Sequence, residues 1–469
     1  MKFFEAIKHF FETVLLPSWM APEWMPPVEQ IGFYITTVIG LLFTIFYTYQ
    51  FFYVFLAFVK KPRKYPDAPM DKRYAAIIAA RNEEIVLPEL IKSIKAQGYP
   101  EELIDIYVVA DNCTDSTAAV ARELGANVFE RHNKEQVGKG YALEFLFDRI
   151  KEKTGSLRAY DAYLVFDADN VLRPNYFEEM NKAYQAGYRV ITSYRNSKNY
   201  GKTWVSAGYA LWFLRESRHL QNARSILGTS AAISGTGFLV DSEIIDKKGG
   251  WKYFLLTEDI QLTADCITEG IRIGYCHEAE FFDEQPETFK QSWRQRKRWA
   301  KGMFQVIRRY GGGLLKGACK FSWSCYDMAV NIMPAFMLST IQLLSVTALF
   351  FVDLIMQIVR AVQNPSISVI PSKVLLGFMA NFLLYGYCVF LLLGICALIS
   401  EWRKIHCNKW RAIWLLLWFP VFMLSYIPIS LVAFFSRRVE WKSIAHKRAM
   451  SAAEIEAVGA KREEPPKTQ

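Results

Sequence analysis

Apolar residues gather into four long runs, at positions 31–59, 331–359, 374–399 and 412–435. Each is long enough to cross a hydrocarbon core of roughly 30 Å as a helix. The first, third and fourth contain no charged side chain; the second contains Asp353, placed near its far end, where a carboxylate is tolerated because it reaches the interface. Ahead of these runs, Phe3, Phe4, Ile7, Phe10, Phe11, Val14 and Leu15 recur at helical spacing, with Lys2, Glu5, Lys8 and Glu12 on the other face. That pattern predicts a helix lying in a membrane interface. Charges interrupt every candidate apolar core there, which excludes a signal peptide. Pro17, Pro22, Pro26 and Pro27 then break the helix, and Trp19 and Trp24 suit the headgroup zone. Residues 1–30 are thus read as an interfacial unit and 31–59 as a transmembrane helix.

Between residues 60 and 302 the period changes. Strand-like runs at 74–80, 106–110, 127–130 and 163–166 alternate with helical patterns at 84–97, 116–124 and 141–151, the second helix being stopped by Gly125. The alternation predicts an α/β domain with a doubly wound, mostly parallel sheet, inserted between transmembrane helices. Residues 303–330 mix aromatic, basic and glycine residues, including Gly311 to Gly313, and are expected to form helices on the membrane surface. A C-terminal transmembrane region over 331–435 and a basic, partly disordered tail over 436–469 complete the chain.

Charge orients this layout. The net charge of +10 sits largely beside the apolar runs: Lys60, Lys61, Arg63 and Lys64 follow the first, and Arg437, Arg438, Lys442, Lys447 and Arg448 follow the last. Such clusters mark the cytoplasmic side and hold anionic membrane lipids, so no nucleic acid is needed to explain them. The expected location is the plasma membrane, multi-pass, with the α/β domain cytoplasmic. A single crossing by 412–435 would leave the basic tail outside, whereas the charge rule puts it inside. Pro420 and Pro428 divide that segment, which makes a bent or re-entrant helix the alternative. The eight cysteines show no paired spacing, and Cys266, Cys276 and His277 lack the fourth ligand of a zinc site, so free thiols are expected.

Candidate chemistry collects where strands end. Asp167 and Asp169 close the run Tyr163-Leu-Val-Phe-Asp-Ala-Asp-Asn170. Carboxyl ends of strands are where open α/β sheets bind ligands, and i, i+2 carboxylates on an extended segment face one divalent cation. A lone Asp-x-Asp is also what a strand followed by a polar turn looks like. Asp111 ends the preceding strand, where its carboxylate can accept from the N–H of a pyrimidine base; Asp115 fits a helix N-cap better. Glu83 either faces the same nucleoside pocket or favours a helix N-terminus. Lys139, in Gly-Lys-Gly, lacks phosphate-loop spacing and reads as a cation at a helix start near the nucleotide. Thr257-Glu258-Asp259 opens a helical pattern; Asp259 is either a cap or a general base, the latter if burial and nearby negative charge raise its pKa. In Gln291-Ser-Trp-Arg-Gln-Arg-Lys-Arg-Trp299, helical spacing puts Gln295, Arg298 and Trp299 on one face, where Arg298 can fork onto a diphosphate and Trp299 can offer its ring to a sugar. A basic amphipathic surface helix is the plain alternative.

Asp111, Asp167-Ala168-Asp169, Thr257-Glu258-Asp259 and Gln295-Arg296-Lys297-Arg298-Trp299 occur in an order and spacing that resemble the membrane-embedded, processive family 2 glycosyltransferases, such as cellulose, hyaluronan and poly-N-acetylglucosamine synthases. The likeness covers about residues 74–299. It implies a GT-A domain, Asp111 touching uracil, Asp167 and Asp169 positioning Mg²⁺ or Mn²⁺ and the UDP, Asp259 as base, and Gln295, Arg298 and Trp299 holding pyrophosphate and acceptor sugar at the mouth of a channel. It further implies a UDP-sugar donor (UDP-glucose favoured, UDP-N-acetylglucosamine next), a growing glycan acceptor and a β-glucan product. Two departures are visible: one span before the catalytic domain where several relatives have two, and no C-terminal cyclic-dinucleotide-binding segment. Ser234-Gly-Thr-Gly237 sits where relatives keep a small-residue loop beneath the acceptor, and a tight turn accounts for it equally well. The rival readings are addition of a single sugar to a membrane lipid and, more remotely, a non-catalytic transporter or receptor that binds a nucleotide sugar.

Overall fold

A computed structural model describes residues 25–333, 335–437 and 446–460. The expected interfacial helix at 1–16 lies outside the described residues. Eight strands form one sheet: β1 Tyr74–Ala80, β2 Ile104–Asp111, β3 Asn127–Arg131, β4 Ala162–Asp167, β5 Val171–Leu172, β6 Val190–Ser197, β7 Phe238–Asp241 and β8 Ile273–Asp283, in the order β3-β2-β1-β4-β7-β6-β8-β5. Helices Leu87–Lys95, Thr117–Glu123 and Lys139–Thr154 supply the connections that make β1 to β4 parallel. β1 reads Tyr-Ala-Ala-Ile-Ile-Ala-Ala and is buried on both faces, as a strand covered on each side by helices must be.

Beyond β4 the expected mostly parallel sheet gives way to a mixed one. β7 runs antiparallel to both β4 and β6, and β5 antiparallel to β8. β7 spans Phe238–Asp241 and β5 Val171–Leu172, runs too short for hydrophobic period to reveal direction. A second departure follows at the site. β4 ends at Asp167, and Asp169 lies in the turn that follows, so strand alternation does not orient it.

Among the described residues three helices are long and apolar enough to cross a membrane: Pro27–Val59, Phe336–Gln363 and Lys373–Ser400. The pair Lys409–Leu416 and Phe419–Phe435 would make a fourth if counted as one span bent by 43°. Pro27 occupies the first turn of the first apolar helix, where its missing N–H costs nothing. Likewise Pro420 opens the second half of the bent pair. Gly311 to Gly313 lie inside a helix, Phe289–Cys319, which runs through them. It packs on Glu258–Thr268, Trp323–Ile332 and Tyr426–Phe435, and these contacts outweigh the roughly 1 kcal/mol that each interior glycine costs.

One buried polar clamp joins sheet domain and apolar helices. Asp327 accepts from the Arg224 guanidinium at 2.8 and 2.9 Å, from the Tyr49 hydroxyl at 2.7 Å and from Tyr53 at 3.1 Å. Removing one member would leave a buried charge unpaired.

Candidate active site

The carboxyl ends of β1, β2, β4 and β8 open into a cavity of about 1610 Å³. Glu83, Asp111, Lys139, Asp167, Asp169, Asp259, Gln295, Arg298 and Trp299 all line it. The turn after β4 is fixed from beneath: the Asp167 N–H donates to Thr236 Oγ1 at 2.7 Å, and Thr236 Oγ1 donates to Asn170 Oδ1. Thr236 is held there by the turns at Gly235 (φ +80°) and Gly237 (φ +64°), conformations that disfavour any side chain. A Cβ on Gly237 would meet the Phe281 ring at 2.3 Å.

Lys139 donates to Asp167 Oδ1 at 2.6 Å and to the Gly235 carbonyl at 2.9 Å, with Glu258 at 3.7 Å. Burial works against its charge, but Asp167 and Glu258 raise its pKa. The next residue explains its placement: a Cβ on Gly140 would fall 2.2 Å from the Tyr253 carbonyl oxygen, so only glycine lets this helix start press against that backbone. Glu258 itself is pushed up to about 7 by burial, opposed by Lys139 and reinforced by Asp259. Burial likewise raises Asp259, against the Ile260 N–H and Lys139. Asp259 is therefore a cavity-facing carboxylate with a raised proton affinity. Thr257 makes no side-chain cap bond to the helix it precedes.

Asp111 is already partnered, its Oδ1 accepting from Arg131 at 2.6 Å and from Asn112 at 3.0 Å. Asp115 accepts from the Thr117 N–H at 3.1 Å and from the Thr117 hydroxyl, a helix-start role away from the cavity. On helix Phe289–Cys319, Gln295 Oε1 is buried with no partner among the described residues, an acceptor left for something that enters the cavity. The Trp299 ring stands edge-to-face against Tyr209 at 5.7 Å and Phe213 at 6.2 Å, which fixes its plane. Arg296, between these residues in sequence, points elsewhere. It donates to the Phe422 carbonyl and the Ser425 hydroxyl, both at 2.8 Å, and ties this helix to the bent pair.

Several cavity residues carry no periodic or motif signal. Arg195 on β6 pairs with Asp283 at the end of β8 and donates to the Ser234 carbonyl at 3.0 Å. Glu216, in a π-helical turn over Glu216–Gln221, accepts from the Ser234 hydroxyl at 3.1 Å. From the described segment 446–460, His446 lines the cavity. His446 bonds Glu83 at 3.0 Å and stands 3.9 Å from Asp169, and those two carboxylates raise it to about 10 although burial works against its charge. Arg448 pairs with Glu287, and Glu456 with Arg173. The strand-end position of Asp283 was the one trace available, had β8 been recognised.

Among the described residues no cluster of three or more His, Cys, Asp or Glu side chains could hold a metal. Asp167 and Asp169 are instead a two-carboxylate oxygen set, the kind that holds Mg²⁺ or Mn²⁺ together with substrate phosphates. The cationic Lys139 and His446 stand against these two groups, as expected where negative charge must be offset.

A family model described as glycosyltransferase-like family 2 matches residues 71–302. These residues are a family 2 glycosyltransferase domain. Relatives include the probable glycosyltransferase YdaM of Bacillus subtilis, 29% identical over 51% of this chain and 57% of its own. A beta-monoglucosyldiacylglycerol synthase from a Nostoc species is 26% identical over 56% of each chain. Hyaluronan synthase of Streptococcus pyogenes is 25% identical over 64% of this chain and 72% of its own. The chain thus spans little more than half the length of the first two relatives. A mannosyltransferase from Pyrobaculum calidifontis, solved in complex with GDP-Man and Mn²⁺, superposes with a TM-score of 0.52 at 15% identity, over 79% of this chain and 98% of its own. That likeness establishes the fold of the glycosyltransferase domain as GT-A-like with a mixed sheet.

Proposed function

We propose that the protein is an integral-membrane, inverting glycosyltransferase of the plasma membrane that polymerises a β-linked glycan from a UDP-sugar at the cytoplasmic face and passes it through its own helices. One observation carries this reading: the cavity lined by the carboxylates and Trp299 is also lined by Thr36, Thr44, Ser339, Gln342, Asn381 and Tyr385 of the apolar helices. Hydroxyl and amide groups at that depth suit a polyhydroxylated chain better than hydrocarbon. UDP-glucose is the favoured donor and UDP-N-acetylglucosamine the next.

In this reading Glu83 and Asp111 face the nucleoside, and Arg298 forks onto the diphosphate. Trp299 stacks on the acceptor sugar, with Gln295 accepting from one of its hydroxyls. Asp259 takes the proton from the attacking hydroxyl; the new glycosidic bond forms as the bond from the anomeric carbon to UDP breaks, and UDP departs with the electron pair. Mg²⁺ or Mn²⁺, held by Asp167 and Asp169, would neutralise charge on the departing diphosphate. Asp259→Asn is expected to lower polymer formation by at least about 100-fold with UDP binding retained, read by radiolabel incorporation and calorimetry. Normal polymer from that variant would overturn the assignment.

A second reading, transfer of one sugar to a membrane lipid, is favoured by the likeness to the monoglucosyldiacylglycerol synthase and by Phe43, Phe51, Phe378 and Phe382 on the same cavity wall. Product size separates the two. A lipid-extractable monoglycoside without polymer would replace the first reading by the second.

A further inference from the structure

Arg215 is the last residue of helix Trp204–Arg215, 3% exposed, and it lines the cavity beside Trp212, Gln50 and Glu216. Its Nη2 donates to the neutral Gln50 Oε1 at 2.7 Å, its guanidinium carbon lies 5.2 Å from the Trp212 ring centre, and its Nε has no partner among the described residues. Other buried and half-buried arginines are treated differently. Arg131 pairs with Asp111, Arg195 with Asp283, Arg218 with Glu401 and Arg224 with Asp327. Arg296 lies over the Phe422 and Tyr426 rings and does not line the cavity.

Among the described residues no carboxylate lies within 4.0 Å ion-pairing distance of Arg215. The nearby Glu216 is committed to the Ser234 hydroxyl and to Gln221, and Arg195 and Arg224 act on its charge. A guanidinium stays protonated in proteins, so Arg215 places on the cavity wall a positive charge that Glu216 offsets only at a distance, without the direct compensation of an ion pair. Burial without such compensation is costly, and an anionic ligand would relieve it. The place is specific. Through Glu216 and Ser234, Arg215 connects to Gly235, where an added Cβ would stand 4.0 Å from Asp259; on its other side Gln50 belongs to the first apolar helix.

We propose that Arg215 and Gln50 form an anion subsite for the acceptor, so that the molecule entering beside Asp259 carries a carboxylate or a phosphate. The proposal rests on the glycosyltransferase reading above; because a chain built from UDP-glucose or UDP-N-acetylglucosamine alone is neutral, the anionic acceptor is the starting molecule that receives the first sugar. Two sources share this chemistry, an acidic sugar in a glycan and the phosphate of a lipid headgroup.

The test uses the full-length protein in nanodiscs with the UDP-sugar it turns over. Acceptor KM is measured for four probes in two matched pairs: a hexuronate-containing against a neutral oligosaccharide, and phosphatidic acid against diacylglycerol. In the wild type, the anionic member of one pair should show a KM at least about tenfold below its neutral partner, and that pair names the source. Arg215→Gln should collapse the ratio toward one, and Arg215→Lys should restore part of it. Equal KM values within both pairs for the wild type would overturn the proposal without relying on any variant, as would a ratio that Arg215→Gln leaves unchanged. Turnover of neutral acceptors alone removes the subsite and leaves the glycosyltransferase reading intact, whereas no transfer from any UDP-sugar removes both.

Discussion

Glu258 and Asp259 are neighbours in sequence and are both pushed toward holding a proton, chiefly by burial. A base must be ionised to act, so a raised carboxyl pKa moves the acidic limb of the rate profile upward: activity is missing at low pH and appears as pH rises. The same shift has a stability consequence of opposite sign. Between the ordinary glutamate range and about 7 the folded chain holds a proton on Glu258 that the unfolded chain has lost, so stability falls as pH rises through that window. Glu258→Gln frees Lys139, which lowers the Asp259 pKa, from a competing carboxylate 3.7 Å away. The limb of UDP release against pH should then move to lower pH, and an unmoved limb would show that the two carboxyls titrate independently. Sequence reading singled out Asp259 from a three-residue motif, but its raised affinity comes from burial among distant elements, opposed by Lys139, some 120 positions away, and by the Gly235 backbone; no local pattern encodes these neighbours.

Two helices bring the motifs together. Helix Phe289–Cys319 meets the start of Glu258–Thr268 through Gly302, where an added Cβ would lie 2.6 Å from the Thr257 side chain and 2.9 Å from its backbone nitrogen. Backbone cannot step aside as a side-chain tip can. Gly302→Ala should therefore cost about 1–3 kcal/mol as overpacking and, by prying Trp299 and Asp259 apart, lower transfer more than donor binding. Thermal unfolding together with separate KM and kcat values would check this; unchanged kcat with a lowered Tm would make the contact structural only. The basic, aromatic character of 295–299 was legible as helix from its spacing. That Arg296 anchors the helix to the bent pair while its neighbours face the cavity was not, because helical periodicity gives relative directions and no absolute one.

At the scale of the molecule, the cavity runs from the sheet's carboxyl edge into the apolar helices, and its bore can be tested directly. Gly40 lies on its wall, and a Cβ there meets nothing within 4 Å. Gly40→Phe should fit without backbone strain and narrow the passage. Chain length, read by gel filtration of labelled product, is expected to shorten while UDP continues to be released. Full-length polymer from this variant would place the product's route elsewhere.

The sequence by itself determined the apolar runs, the alternating half of the sheet and the motif side chains that the fold gathers on one cavity wall, because period, length and motif spacing are local properties of a chain. It left undecided the direction of short strands such as β7, the turn that carries Asp169, the return of His446 to the site and the unpaired charge of Arg215. Those depend on which distant groups arrive to share hydrogen bonds and burial. Only the packed structure supplies these neighbours, because a charge or a carboxyl has no settled energy until its surroundings are fixed.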